Sequence, residues 1–65
     1  MIEFKVPDMT CAHCASAITQ AVKALDPAAR VEISLQAHRV RVETKAAAEA
    51  LERAIREAGY SPVAA

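Results

Sequence analysis

Cys11 and Cys14 stand three residues apart in the run Met9-Thr10-Cys11-Ala12-His13-Cys14, and the chain has no other cysteine. A thiolate is a soft ligand and a nucleophile, so such a pair has three chemical uses: holding a soft metal ion, cycling as a redox dithiol, or packing as small apolar side chains. Where a loop enters a helix, residues i and i+3 can turn their sulfurs toward one point. Two sulfurs suit Cu(I), which accepts low coordination and prefers sulfur. Zinc asks for four ligands and would need nitrogen or oxygen donors as well. His13 and His38 are the only imidazoles. His13 lies between the cysteines on a helix and is expected to point away from the sulfurs, while His38 is placed at the far end of a hairpin. A thioredoxin-like dithiol is the rival from another class. Against that rival, this chain has no proline between its cysteines and lacks the βαβ order of that fold.

The rest of the chain has to hold this loop. With 65 residues there is room for one small domain, read here as residues 1–65. Alanine supplies much of the 54% hydrophobic content, beside one Phe, one Tyr and no Trp. The large apolar side chains fill one thin core, with none left to line a substrate cavity, which argues against an enzyme. Eight basic residues balance eight acidic ones, so no field favours nucleic acid or an anionic membrane. The N-terminus has no basic stretch leading into an apolar one, and no run is long enough to span a bilayer. These features point to the cytoplasm, where cysteines stay reduced.

Periodicity orders the elements. Ile2, Phe4 and Val6 alternate with Glu3 and Lys5 as a half-buried strand that Pro7 ends. Ala15, Ile18, Val22 and Leu25 follow a helical stripe, which Thr10 is placed to cap and Asp26-Pro27 to stop. Val31, Ile33 and Leu35, then Val40 and Val42, alternate with polar residues as two strands around a connection at Ala37-His38. A two-residue turn there would want Gly or Asn, so either His38 adopts a positive φ or the turn is longer. Thr44 is expected to cap a second helix with a stripe of Ala48, Leu51, Ile55 and Ala58, and Gly59 to end it. Tyr60 to Val63 reads as a short edge strand tolerant of Pro62. The order βαββαβ gives an α+β, ferredoxin-like fold, with two helices on one face of a four-stranded antiparallel sheet.

The loop Met9-Thr10-Cys11-Ala12-His13-Cys14, the strand pair that follows, and the ending Glu57-Ala58-Gly59-Tyr60-Ser61-Pro62 resemble the heavy-metal-associated domain, in particular small soluble bacterial copper chaperones. The resemblance covers essentially the whole chain. It implies that Cys11 and Cys14 bind Cu(I), that Met9 packs inward as an anchor, and that Tyr60 sits beside the site. It also implies that cargo passes to the matching domain of a copper-transporting P-type ATPase by thiolate exchange. An open two-sulfur site would also let two otherwise monomeric copies share one ion. Asp8 departs from the pattern, since the family usually has Gly before the Met. A carboxylate at that point would favour a divalent ion such as zinc, cadmium or mercury over the net-negative Cu(I)-bis-thiolate.

Overall fold

A computed structural model describes residues 1–65. The chain runs β1 (Ile2–Lys5), α1 (Ala12–Leu25), β2 (Arg30–Ser34), β3 (Arg39–Glu43), α2 (Ala48–Glu57) and β4 (Val63–Ala64). The sheet order is β2-β3-β1-β4, all antiparallel, with Ile2 opposite Val42 and Phe4 opposite Val40. This is the expected ferredoxin-like βαββαβ arrangement. Neither helix is long and apolar enough to cross a membrane.

The period-two pattern of the strands sets the layers. Phe4, Val40 and Val42 face the helices and are buried. Ile18 and Val22 from α1, with Leu51 and Ile55 from α2, meet them at zero exposure. Glu3, Arg39, Arg41 and Glu32 make a ladder of ion pairs on the opposite, wet face. Pairs this exposed add little stability and mainly keep that face soluble.

Several boundaries differ from the sequence expectation. Leu25 and Leu35 are exposed and lie outside the buried core: Leu25 is the last residue of α1, and Leu35 falls in the turn after β2. The last strand is Val63–Ala64, where Val63 and Ala64 pair with Lys5 and Phe4; Tyr60–Pro62 form the loop before it. Thr44 does not cap α2. Its hydroxyl donates to Asp26 Oδ2 at 2.5 Å and accepts the Ala46 amide at 3.1 Å, while Ala47 holds the N-cap position. The bond to Asp26 ties the β3–α2 loop to the end of α1.

Both readings of the β2–β3 connection hold at once. The turn spans Leu35–His38, and His38 sits at φ 56°. The close of α2 follows the expected glycine logic. Gly59, at φ 101°, donates to the Arg56 carbonyl at 2.9 Å, and Tyr60 donates to the Ile55 carbonyl at 3.3 Å. That pair of bonds is a Schellman motif, and it fixes where Tyr60 leaves the helix.

Candidate metal centre

The chain between β1 and α1 is shaped by one tight turn. Val6 accepts the Met9 amide at 3.0 Å, closing Val6-Pro7-Asp8-Met9, with Pro7 in the second position where its fixed φ suits a turn. Met9 then drops into the core with no exposure, packed among the residues of both layers. Its side chain thus joins the core cluster with Phe4, Val6 and Ile18.

Cys11, not Thr10, holds the N-cap position of α1, with extended backbone at φ −148° and ψ 168°. Thr10 is exposed, and no side chain caps the helix. The Ala15 amide bonds the Cys11 carbonyl at 3.1 Å, so the helix starts one residue later than a Thr10 cap would place it. The change matters chemically. The amides of Ala12, His13 and Cys14 form the first turn, where helical geometry leaves N–H groups without carbonyl partners. Two sulfurs at the N-cap and third positions therefore occupy the electropositive end of a helix, which favours thiolate.

The Sγ atoms of Cys11 and Cys14 lie 3.3 Å apart as free thiols. Cys11 is exposed, and Cys14 is half-buried against the core. Cys14 is held down to about 6, far below an ordinary thiol. The Tyr60 hydroxyl contributes most to this, followed by the Thr10 backbone amide and the Cys11 thiol. The effect is mutual, because hydrogen bonding to the Cys14 sulfur, then burial and the sulfur's charge, push Tyr60 up to about 12. The Schellman turn thus delivers Tyr60 to the site.

No third His, Cys, Asp or Glu gathers with the pair. His13 is exposed on the first turn of α1. Asp8 is engaged elsewhere: its Oδ1 accepts the Ser61 amide at 3.2 Å. It bridges the two loops that flank the sulfurs instead of adding an oxygen beside them.

His38 is where sequence reasoning missed most. It is not remote. Its Nδ1 lies 3.0 Å from the Met9 carbonyl oxygen, and its own carbonyl accepts the Val6 amide at 2.7 Å. The only sequence signal was a His in a turn that requires positive φ, and nothing local says what its ring reaches.

The chain is similar to known proteins in sequence and in fold. The copper chaperone CopZ of Staphylococcus epidermidis is 37% identical over 59 residues, spanning 86% of this chain and 87% of its own. Among solved structures, a gold-binding protein superposes with a TM-score of 0.96 at 34% identity, covering all of both chains. The copper chaperone Atx1 of Synechocystis PCC6803 gives a TM-score of 0.94 at 35% identity, covering 95% of this chain and 98% of that one. The family model described as "Heavy-metal-associated domain" matches residues 3–61, and with the two free thiols at the mouth of its first helix the chain belongs to that family.

Proposed function

We infer that the protein is a carrier of Cu(I), which it holds between Cys11 and Cys14 and passes on by ligand exchange. The observation that carries this reading is an exposed pair of free thiols with no third donor, set at a helix N-terminus. Such a site satisfies a soft ion of low coordination and leaves a four-coordinate ion short by two ligands. The copper chaperones among its relatives support the same cargo.

Transfer follows from the unequal settings of the two sulfurs. A sulfur on each side of one ion stands farther from its partner than the 3.3 Å that separates these two, since even the zinc–sulfur bond is about 2.3 Å, so the pair must open on loading. Cys14 is packed against the core and Cys11 is not, so Cys11 is the one that moves. An incoming thiolate adds to the ion from the open side, giving three sulfurs around it. Cys11 then leaves, and Cys14 leaves last as a second partner thiolate arrives. No electron is transferred and the ion never lacks a ligand. The acceptor is the matching cysteine-pair domain of a copper-transporting P-type ATPase, and the exchange takes place in the cytoplasm.

A second soft monovalent ion is favoured by one observation, the full-length likeness to a gold-binding protein. Two thiolates in near-linear array do not by themselves distinguish Cu(I) from Au(I). One experiment separates the cargoes. Reduced protein is titrated anaerobically with Cu(I) against a chromogenic chelator, with Zn(II) in excess and then with Au(I) added. One-to-one Cu(I) binding that zinc leaves alone supports the carrier reading. Displacement of copper by zinc overturns it, and displacement by Au(I) alone moves the assignment to gold.

A further inference from the structure

His38 brackets the turn that carries the cysteines. At φ 56° its backbone carbonyl takes the Val6 amide at one end of Val6–Met9, and its ring reaches the Met9 carbonyl at the other. A carbonyl oxygen only accepts, so the bond requires the proton on Nδ1. The half-buried ring makes its contact across 29 residues of sequence, from the β2–β3 turn to the metal loop.

The carbonyl that the ring holds is that of Met9, two residues before Cys11, and the amide that its own carbonyl takes is that of Val6, where the turn begins. Both ends of the turn that leads into the first cysteine are therefore bonded to one residue of the β2–β3 connection.

We propose that His38 is a positioning residue for metal binding: as the Nδ1–H tautomer it holds the Met9 carbonyl, and with its own carbonyl on the Val6 amide it fixes the turn that leads into Cys11. Its effect on copper rests on the carrier reading above, but the strut itself does not. Two variants separate the ring from the turn. His38→Gly accepts the positive φ and removes the donor. His38→Asn also tolerates that conformation and places its Nδ2 where the imidazole Nδ1 sits.

The first measurement uses the reduced, metal-free protein. Nitrogen NMR shifts of the neutral His38 ring should report the Nδ1–H tautomer, opposite to the Nε2–H form that free histidine favours. The second follows Cu(I) release to a competing chelator. His38→Gly should release copper about three- to tenfold faster, the cost of one neutral hydrogen bond, with His38→Asn restoring the wild-type rate to within about twofold. An Nε2–H ring overturns the proposal, as does a His38→Gly variant that releases copper at the wild-type rate. If the wild-type protein takes up no Cu(I), the carrier reading falls, and the tautomer alone decides the strut.

Discussion

Asp8 Oδ1 accepts the backbone N–H of Ser61 at 3.2 Å, joining residues 53 positions apart. One bond therefore links the loop before α1 to the loop after α2, on the two flanks of the cysteine pair. The carboxylate that the sequence offers as a source of divalent preference is employed as a tether. Asp8→Asn keeps an acceptor oxygen and removes the charge, so it should leave the ratio of Cu(I) to Zn(II) affinity unchanged. Asp8→Ala removes the acceptor and should lower stability by ~0.5–1 kcal/mol, the worth of a solvent-accessible hydrogen bond. Chelator competition and denaturant melts read the two effects. A rise in copper preference in Asp8→Asn would return the charge to the metal site.

The two cysteines differ in surroundings, and their variants should differ in kind. Cys11→Ser and Cys14→Ser each remove half of the ligand set, and each should cost orders of magnitude in Cu(I) affinity. Tight binding retained in either would remove the two-thiolate site. Transfer distinguishes them further. Trapping with a single-cysteine acceptor should yield a mixed complex in which Cys14 still holds the ion, because Cys14 is packed against the core and Cys11 is exposed.

Much of the frame was legible because strands and helices repeat. Phe4, Val40 and Val42 fall on one face by alternation, Ile18 and Val22 on a stripe of α1, and Leu51 and Ile55 on a stripe of α2, and all are buried. Elements' ends were harder, because a cap depends on the φ and ψ of one residue. Thr10 and Thr44 are both good cap types, yet Cys11 and Ala47 hold those positions. The cysteine pair was visible from spacing, and Met9 and Tyr60 were placed by resemblance. His38 was invisible as a neighbour of the site, because its bond to Met9 exists only after β2 has paired with β3 and β3 with β1. The tether from Asp8 was hidden in the same way, because Ser61 meets it only once the chain has returned past α2.

Met9 tests whether the loop is anchored by packing or by ligation. It is fully buried in the core cluster, so Met9→Ala should destabilise the protein by ~2–5 kcal/mol through the cavity it leaves. Met9→Leu conserves volume and should cost under ~1.5 kcal/mol. If Met9 only anchors, Met9→Leu keeps nearly full copper affinity. A large loss of affinity in Met9→Leu at unchanged melting temperature would make the thioether a ligand.

The thiolate of Cys14 links metal-free stability to pH in a defined direction. Its pKa falls from 9.0 in the unfolded reference to about 6 when folded. Between those values the unfolded chain binds a proton that the folded one does not, so stability rises with pH from about 6 to 9 and is lost as pH falls through 6. Tyr60 works at the other end: raised from 10.0 to about 12, it contributes stability below pH 10 that is lost as pH climbs to 12. Thermal melts of the reduced protein should therefore climb between pH 6 and 9, and Cys14→Ser should flatten that climb. Tyr60→Phe removes the largest influence on the sulfur, so ultraviolet thiolate absorbance should titrate at higher pH in that variant. The same change should slow alkylation of Cys14 at neutral pH, since the thiolate is the reacting form. If the thiol titrates at the same pH with and without the hydroxyl, the helix N-terminus and the Thr10 amide suffice to hold the thiolate, and Tyr60 serves only to pack the loop.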